Sequence, residues 1–369
     1  MRHRLGAPAP GPRAEVLVAT TWRCNLRCAY CFVAENRLGA GGERMSPELA
    51  ERVVDALDEG LPEVASICLH LYGGEPLTNL PAVEALVRRA EEGRPGRFSF
   101  AVTTNGTQAS DRVFELLDRG RFHVILSLDG PATVHDACRR TAGGRPTHER
   151  VRSFLDELRT RTRCSVRGSS VVRSGWRLAQ AIAYLGALPV DAIKAQAVRG
   201  APGSPWSLTE EEKELYLGDL DALGREVAAD VEAGRAPLDD RFNHRVLQLL
   251  AGIERESFCA AGETTFGVTP TGEVLPCVLL DAEEHRLGHI EDDAAAWRRA
   301  GRLWRAARPP RSECASCSAR ALCGGGCPAI LPVCGADECD LVRKSCAVAT
   351  GIYDRFRARP ERLLVLAGL

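Results

Sequence analysis

Apolar runs of strand length alternate with helical patterns through the first half of the chain, and this alternation constrains the fold more than any other feature. The clearest helical pattern is "SPELAERVVDALDEG", in which Ser46 can cap the first turn, Pro47 fits the first helical position and Gly60 ends the pattern. Six β/α repeats predict parallel strands with right-handed crossovers, in an open doubly wound sheet or an incomplete barrel. The strand-like runs begin at Glu15, Val64, Phe98, His123, Cys164 and Ala192.

The size and the change of pattern along the chain predict more than one domain. The chain has 369 residues, of which 45% are hydrophobic, and this suits a large α/β domain with a smaller appendage. After "GAPGSPW" two helical stretches replace the repeats, and from Cys259 the sequence is loop-rich, with a hairpin signal at Thr271-Gly272. We expect a disordered leader over 1–14, the α/β core over 15–205, a helical connector over 206–255 and a cysteine-dense domain with a C-terminal helix over 256–369.

Charge and hydropathy exclude some classes of partner. The formal net charge is -1, so the chain has no overall basic field that would hold a nucleic-acid backbone. The N-terminal "MRHRLGAPAPGPRAE" has no apolar segment of the signal-peptide type, and no apolar run reaches membrane-spanning length. We therefore expect a cytoplasmic protein that binds neither nucleic acid nor membranes.

The chain contains fifteen cysteines, which is unusual for its length. Without an export signal they are not expected to form disulfides, because the cytosol keeps thiols reduced, so metal binding is the better explanation. Three isolated cysteines lie in or beside apolar runs and are expected to be small core residues. These are Cys68, Cys138 and Cys164, whereas nine further cysteines crowd between Cys259 and Cys346.

Three cysteines follow the first strand in the stretch "TTWRCNLRCAYCF". The CxxxCxxC spacing of Cys24, Cys28 and Cys31 places three thiolates around one loop, which suits three corners of an iron–sulfur cubane and leaves the fourth iron open. With the aromatic Tyr30 ahead of the third cysteine, this pattern resembles the radical S-adenosylmethionine (SAM) family. The resemblance implies a partial (β/α)6 barrel with its catalytic cluster at Cys24, Cys28 and Cys31.

Further motifs of the same family follow the next three strands, at the strand ends where ligands gather in such folds. They are "YGGEP", "TTNGT" and "SLDGPATVHDACRR". The resemblance assigns the first to the amino group of SAM, Ser127 and Arg139 to its carboxylate, and Asn105 and Asp129 to the pocket lining. His135 is expected on the solvated surface, without a role. The implied cofactor-binding residues are Tyr30, Gly73, Gly74, Glu75, Pro76, Asn105, Ser127, Asp129 and Arg139.

The C-terminal cysteines form a C…Gx4C…Cx2Cx5Cx3C…C pattern that could hold zinc as a ribbon but resembles the SPASM extension of radical SAM enzymes. The resemblance implies two auxiliary [4Fe–4S] clusters, and hence three clusters in all with the SAM-binding one. The outer cluster would take Cys314, Cys317, Cys323 and Cys346, and the inner cluster Cys259, Cys277 and Cys327. Two alternatives stay open: Cys339 replaces Cys346, and Cys334 completes the inner cluster, whose fourth iron is otherwise open to a substrate thiolate.

The resemblance also implies a function. SPASM enzymes act mostly on ribosomal peptides or proteins, so we expect a maturase that uses the 5′-deoxyadenosyl radical to form a crosslink, thioether, epimer or oxidised residue. A reducing partner such as flavodoxin or ferredoxin is implied. Because only fourteen residues precede Glu15, leader recognition would fall to a separate leader-peptide-binding protein or to direct docking.

Three alternative functions remain. An anaerobic sulfatase-maturing enzyme would carry an aspartate base directly after the cysteine matching Cys277, but Val278 stands there and Asp281 is the nearest carboxylate. An enzyme of small-molecule cofactor biosynthesis would need a narrow apolar pocket mouth. A non-catalytic iron–sulfur electron carrier is disfavoured, because it would need neither "YGGEP" nor Arg139.

Overall fold

The computed structural model describes residues 11–31, 43–200, 203–280, 282–309 and 311–368. Asp281 and most of the expected leader therefore lie outside the described residues. Within the described part of the chain, no helix is both long enough and apolar enough to span a membrane.

Nine strands occur in the described residues, and the six predicted from the sequence are all present within two residues of their expected starts. The strands are β1 (Arg13–Thr21), β2 (Ser66–Gly73), β3 (Phe98–Thr104), β4 (His123–Ser127), β5 (Ser165–Val172), β6 (Ala192–Ala197), β7 (Thr265–Val268), β8 (Glu273–Leu275) and β9 (Gly288–His289). The predicted hairpin at Thr271-Gly272 is confirmed, since β7 and β8 pair antiparallel on either side of it.

Helices follow the strands as the repeat pattern predicts. They are α1 (Pro47–Gly60), α2 (Leu80–Glu92), α3 (Asp111–Arg119), α4 (Ala132–Cys138), α5 (His148–Arg161), α6 (Leu178–Gly186), α7 (Glu210–Glu232), α8 (Asn243–Leu250), α9 (Ala294–Ala306), α10 (Arg320–Cys323), α11 (Leu331–Cys334) and α12 (Ala336–Phe356). The side chain of Ser46 accepts a hydrogen bond from the backbone N–H of Leu49 at 3.1 Å, which confirms the predicted cap of α1. Helix α4 was missed because its seven residues are too few for a periodic pattern.

The described chain divides into two compact units whose segments interleave along the sequence. The first contains the residues up to 128 together with 135–167 and 260–309, and the second contains 129–134, 168–259 and 311–368. The domain boundaries expected at residues 205 and 255 divide the chain into consecutive segments, whereas these units interleave. The boundaries stay a prediction.

In the first unit the strand order is β4-β3-β2-β1-β7-β8-β9. Strands β1 to β4 are parallel neighbours, and β7 continues the parallel pairing on the free edge of β1. This confirms an α/β fold built on a partial parallel sheet. The pairing of β7 with β1 was not expected, because the sequence placed β7 in the cysteine-dense domain, and four-residue strands carry no signal of their partner.

The two faces of this sheet differ in burial. One face is almost completely buried, as Val16, Leu69 and Val102 illustrate. The other face, here called the open face, carries side chains that are only partly buried in the chain alone. Its members include Leu17, Cys68, His70, Tyr72, Thr103, His123 and Ile125. The sheet therefore has one closely packed side and one side whose side chains are less covered.

The second unit contains most of β5, then β6 beside it, and the long helices α7 and α12. Its core gathers Trp176, Phe242 and Phe356, each less than 8% exposed. Gly224 on α7 lets the two helices approach closely, since a Cβ there would lie 2.3 Å from Val348 on α12. The two helical stretches predicted after "GAPGSPW" are confirmed by α7 and α8.

Two of the three isolated cysteines are core residues, as predicted. Cys138 and Cys164 are each 2% exposed, and the thiol of Cys164 donates a hydrogen bond to the carbonyl of Leu117 at 3.2 Å. Cys68 lies partly buried on the open face of the sheet. Burial raises the pKa of the Cys68 thiol to about 11, so this side chain is neutral at physiological pH.

Candidate functional site

The cysteine loop is anchored at its start by the Gly-Gly-Glu motif. The backbone N–H of Gly74 donates to the carbonyl of Thr21 at 3.0 Å, and that of Glu75 donates to the carbonyl of Arg23 at 2.9 Å. A Cβ on Gly74 would lie 2.3 Å from the Arg23 oxygen, and one on Gly73 would lie 2.4 Å from the Thr21 oxygen. Gly73 also has φ +121. Both glycines are therefore required for the two backbones to meet.

The other side of the cysteine loop pairs with the segment that follows α4. The N–H of Arg27 donates to the carbonyl of Arg140 at 2.8 Å, and the N–H of Ala29 donates to the carbonyl of Cys138 at 3.0 Å. The two segments run alongside each other between residues that are more than one hundred positions apart. This pairing sets the position of the intervening Arg139.

Arg139 reaches the cysteine loop. Its guanidinium carbon lies 5.5 Å from the centre of the Tyr30 ring, and its Nη1 lies 4.0 Å from the Sγ of Cys28. A planar guanidinium is suited to bind a carboxylate with two parallel hydrogen bonds. Arg139 is therefore a suitable partner for an anionic group brought to this loop.

The loop thiols face N–H donors, which is the environment that cluster-ligating sulfurs favour. The Sγ of Cys24 accepts from the N–H of Leu26 at 3.4 Å and lies 3.8 Å from the Nδ2 of Asn105. Burial raises the pKa of the Cys24 thiol to about 11, although these two bonds act in the opposite direction. A bound metal deprotonates such a thiol outright, so these residues fit an iron–sulfur cluster.

A second tie joins the cysteine loop to the loop after β3. The Nδ2 of Asn105 donates to the Oδ1 of Asn25 at 2.9 Å, and the Nδ2 of Asn25 donates to the hydroxyl of Thr107 at 2.7 Å. That hydroxyl in turn donates to the Oδ1 of Asn105 at 2.7 Å. Sequence reasoning missed Asn25, whose only signal was an amide directly after the first cysteine.

The carboxylate of Glu75 is enclosed by the protein and is 1% exposed. It accepts from the N–H of Leu77 at 3.1 Å, the hydroxyl of Thr104 at 2.8 Å and the N–H of Asn105 at 2.7 Å. Burial raises the pKa of this carboxyl to about 7, against the effect of these hydrogen bonds. The side chain links the loops after β2 and β3, and the neighbouring Pro76, also buried, begins a 3₁₀ turn.

The remaining expected pocket residues lie in different environments. Ser127 ends β4 and is 9% exposed. Asp129 belongs to the second unit, where it is fully buried and accepts from the N–H of Val171 at 3.2 Å. The prediction that His135 lies on the surface is wrong. It is fully buried and pairs with the hydroxyl of Thr147 at 3.1 Å, because the short helix α4 turns it inward.

An apolar wall lies beside the cysteine loop. Ala19, Trp22 and Val278 are buried against one another, with Leu17 and Tyr72 packed on them. Val278 occupies the position after Cys277 and is 3% exposed. At this position the chain therefore presents packed hydrocarbon instead of a carboxylate base.

Two cysteines of the second unit, Cys323 and Cys327, face backbone N–H donors. Gly324, Gly325 and Gly326 have φ of 73, 99 and 86, a run that turns successive N–H groups toward one side. Burial raises the pKa of the Cys323 thiol, while the N–H groups of Gly325 and Gly326 oppose it. Cys327 has the same arrangement with the N–H groups of residues 329 and 330. The sequence "CGGGC" could have indicated these N–H donors, but sequence reasoning missed it.

The outer ligand set lies within the second unit. The N–H of Cys317 donates to the carbonyl of Cys314 at 3.3 Å. Cys346 lies on α12 and is 2% exposed. Burial is the main cause of its raised pKa, and the nearby thiols of Cys323 and Cys317 raise this pKa further. Cys339, seven residues earlier on the same helix, accepts from the Nη2 of Arg311 at 3.0 Å.

Of the cysteines expected to form the inner ligand set, Cys259 and Cys327 belong to the second unit and Cys277 to the first. The thiol of Cys334 is buried and donates to the carbonyl of Gly200 at 3.7 Å. No group of three or more His, Cys, Asp or Glu side chains converges on a single-ion site among the described residues. Each thiolate of a [4Fe–4S] cluster binds its own iron, so convergence on one point is not required.

Comparison with known proteins identifies the class. Residues 18–168 match the radical SAM superfamily, whose members use a [4Fe–4S] cluster and SAM, so this part of the chain is a radical SAM domain and the protein is an enzyme. The PqqA peptide cyclase of Rhodopseudomonas palustris is 28% identical over 85% of this chain and 81% of its own length. The cysteine-type anaerobic sulfatase-maturating enzyme of Clostridium novyi is 24% identical over 73% of this chain and 74% of its own.

Solved structures have the same fold. That of anSMEcpe with bound AdoMet superposes with a TM-score of 0.78 at 21% identity and covers 94% of this chain and 100% of that chain. Streptococcus suis SuiB bound to S-adenosylmethionine gives a TM-score of 0.63 at 20% identity and covers 87% of this chain and 74% of that one. The fold, including the C-terminal region, is thus that of known radical SAM proteins.

Proposed function

We propose that this chain is a radical SAM maturase that abstracts a hydrogen atom from a ribosomal peptide or a protein. The observation that carries the proposal is the hydrogen-bonded junction of the cysteine loop with the Gly-Gly-Glu motif on one side and the Arg139 segment on the other. Relatives over most of the chain include a peptide cyclase and a sulfatase-maturating enzyme. Similar solved structures hold a Kp18Cys peptide and the precursor peptide SuiA.

The residues of the junction have distinct tasks. Cys24, Cys28 and Cys31 would bind three irons of a [4Fe–4S] cluster, which when bound supplies the electron for one-electron cleavage of SAM. The backbone of the Gly-Gly-Glu motif would hold the amino group of SAM, and Arg139 its carboxylate. The apolar wall of Trp22 and its neighbours would keep water from the radical.

The nine C-terminal cysteines would form a SPASM domain with two auxiliary clusters. The outer cluster would use Cys314, Cys317, Cys323 and Cys346, a set supported by the shared environment of Cys317, Cys323 and Cys346. The inner cluster would use Cys259, Cys277 and Cys327. The hydrogen bond from the Cys334 thiol to Gly200 supports a structural role for that residue, and therefore an inner cluster with one iron left for a substrate thiolate.

Among the possible products we favour crosslinks, thioethers, epimers or oxidised residues other than formylglycine. Sulfatase-maturing enzymes carry a carboxylate base after the cysteine matching Cys277, whereas Val278 is packed against Trp22 here. The reducing partner would be a flavodoxin or ferredoxin, and the leader peptide would be presented by a separate protein or would dock directly. Because these clusters and thiols need a reducing compartment, we place the enzyme in the cytoplasm.

The proposal is tested by asking which class of molecule donates hydrogen. Cells of the source organism are grown in deuterated medium and their extract is separated by size into a peptide and protein fraction and a metabolite fraction. Each fraction is incubated anaerobically with the reconstituted enzyme, dithionite and SAM. The mass of the released 5′-deoxyadenosine reports the transfer of deuterium.

Deuterium transfer from the peptide and protein fraction is the expected result. Transfer from the metabolite fraction alone would replace the proposal with an enzyme of small-molecule cofactor biosynthesis. A complete lack of 5′-deoxyadenosine would instead indicate a non-catalytic iron–sulfur electron carrier.

A further inference from the structure

Three polar side chains form a hydrogen-bonded row on the open face of the sheet. The Nδ1 of His70 lies 3.3 Å from the Oε1 of Glu15, and its Nε2 lies 2.8 Å from the hydroxyl of Thr103. The His70 side chain is 14% exposed and that of Glu15 is 54% exposed. Nothing in the cluster and SAM assignments above uses these residues.

The row follows from the register of three parallel strands. His70 lies opposite Leu17 on β1 and Ala101 on β3. Glu15 lies two residues before the first of these partners and Thr103 two residues after the second. Side chains two residues apart point to the same face of a strand. The three groups therefore meet although they are 55 and 33 residues apart in the chain.

The bonding partners determine the direction in which protons can move. A carboxylate only accepts hydrogen bonds, so the Nδ1 of His70 carries the proton that faces Glu15. The Nε2 atom is then unprotonated and accepts from the hydroxyl of Thr103. This arrangement leaves the Thr103 oxygen able to take a proton from outside while its own proton passes to His70.

The row is also close to the place where the radical forms. His70 precedes Gly73 of the SAM motif by three residues, which corresponds to roughly 10 Å along a strand. The wall residues Leu17 and Tyr72 lie on the same open face. A peptide held against this face would thus contact hydrocarbon near the cysteine loop and the polar row beyond it.

We propose that Thr103 and His70 accept the proton that the peptide loses during an oxidative modification, and that Glu15 positions His70. This inference rests on the proposed function and narrows it to reactions that remove two hydrogens. Val278 cannot serve as a base, and the row supplies one from the parallel strands of the sheet. Epimerisation is disfavoured, because it returns a hydrogen atom and releases no proton.

Atoms and electrons balance when a thioether forms. The 5′-deoxyadenosyl radical takes one hydrogen atom from a peptide carbon, which becomes a carbon radical, and 5′-deoxyadenosine is released. A bond forms between this carbon and a peptide sulfur as the S–H bond is lost. The proton passes through Thr103 to the Nε2 of His70, and one electron passes to a one-electron acceptor of the iron–sulfur class. A carbon–carbon crosslink loses a C–H proton by the same route.

The experiment compares hydrogen abstraction with product formation in His70→Ala. The reconstituted variant receives SAM, dithionite and the deuterated peptide and protein fraction that serves the wild type. Deuterium in 5′-deoxyadenosine is expected within about threefold of the wild-type amount. Modified peptides are lighter by one deuterium and one exchangeable thiol hydrogen for a thioether, or by two deuterium atoms for a carbon–carbon crosslink. Their amount is expected to fall about a hundredfold or more, the usual effect of losing a general base. Added imidazole should restore part of the product.

His123→Ala is the matched control, because His123 lies on the open face of β4 and pairs with the hydroxyl of Ser165 at 2.8 Å. It should retain both deuterium transfer and product. Glu15→Gln should lower product less than His70→Ala does, at unchanged deuterium transfer.

Normal product from His70→Ala, or an equal loss of product in His123→Ala, would overturn the proton relay while leaving the peptide maturase intact. Equal losses of deuterium transfer and product in His70→Ala, without rescue by imidazole, would show that His70 is structural. If the wild type takes no deuterium from peptides, the proposed function fails and the relay fails with it.

Discussion

Asn25 and Asn105 are joined by a hydrogen bond of 2.9 Å between their side-chain amides, which ties the cysteine loop to the loop after β3. The same nitrogen of Asn105 lies 3.8 Å from the Sγ of Cys24. The pair thereby connects Cys24, the first of the three proposed cluster ligands, to the parallel sheet. A loop that must hold three thiolates in a fixed arrangement needs such support, because the cluster geometry tolerates little movement.

Asn25→Ala should weaken the SAM-binding cluster. The substitution removes two side-chain hydrogen bonds, each worth about 1 kcal/mol, so we expect the unfolding free energy to fall by about 2 kcal/mol. The SAM-binding cluster is recognised by the change in its electron paramagnetic resonance spectrum when SAM is added. A chelator should remove iron from this cluster faster in the variant than in the wild type. Asn243→Ala is the control, since it removes a bond to the carbonyl of Leu366 in the second unit. Equal iron loss in the two variants would contradict a specific role for Asn25.

Replacement of Cys24, Cys28 and Cys31 together by Ala should abolish release of 5′-deoxyadenosine from the reconstituted enzyme with dithionite and SAM. Without these thiolates the radical SAM cluster has no protein ligands, so no electron reaches SAM. The measurement is chromatographic detection of 5′-deoxyadenosine. Persistent SAM cleavage in the triple variant would refute the assignment of this loop.

Cys314→Ala combined with Cys317→Ala should separate SAM cleavage from product formation. These cysteines belong to the second unit and the SAM-binding cysteines to the first. We expect some 5′-deoxyadenosine but no modified peptide, together with lower solubility, since bound metal contributes folding free energy. Iron content and both products are measured in the same sample. A native rate of product formation would mean that the outer cluster is dispensable or absent.

Gly74→Ala should disrupt the junction between the SAM motif and the cysteine loop. The added Cβ would lie 2.3 Å from the carbonyl oxygen of Arg23, and backbone atoms cannot yield as a flexible side chain does. We expect a loss of at least tenfold in SAM cleavage, measured as 5′-deoxyadenosine. Gly218→Ala on α7 is the control, because its Cβ meets nothing within 4 Å. Full activity of Gly74→Ala would show that the Gly-Gly-Glu motif is not part of the SAM site.

Arg97→Met should destabilise the first unit in a pH-dependent manner. Arg97 is 4% exposed, and its Nε donates to the Oδ1 of Asp58 at 2.7 Å. Burial alone would raise the pKa of Asp58, but the hydrogen bonds from Arg94 and Arg97 outweigh it and lower the pKa. We expect the variant to unfold about 3 kcal/mol more easily at neutral pH, as when one partner of a buried pair is removed.

The sign of the pH effect follows from the lowered pKa of Asp58. Its stabilising contribution is present above the unfolded pKa of about 4 and is lost as the pH falls through the lower folded value. The difference between wild type and Arg97→Met should therefore shrink below about pH 4 in anaerobic denaturant titrations. A difference that is the same at pH 7 and pH 3 would assign the effect to packing alone.

Much of the chain could be interpreted from the sequence because the information was local. Strand alternation, the Ser46 cap and the spacing of Cys24, Cys28 and Cys31 each depend on residues within a few positions of one another. Short-range geometry dictates such features, and the strands and the Ser46 cap occur as predicted. Where the local signal was weak, the prediction was wrong or missing: the seven residues of α4 carried no periodicity, and His135 on this helix is buried instead of exposed.

Only the tertiary structure determined the contacts between distant segments. The sequence placed Glu75 and Asn105 in separate motifs, but strand register brings the Glu75 carboxylate within 2.7 Å of the Asn105 N–H. The meeting of Glu15, His70 and Thr103 has the same origin. Each is an ordinary strand residue, and a register shift of one position would send His70 to the buried face. Strand register depends on the packing of the whole sheet, so no local pattern could reveal these contacts.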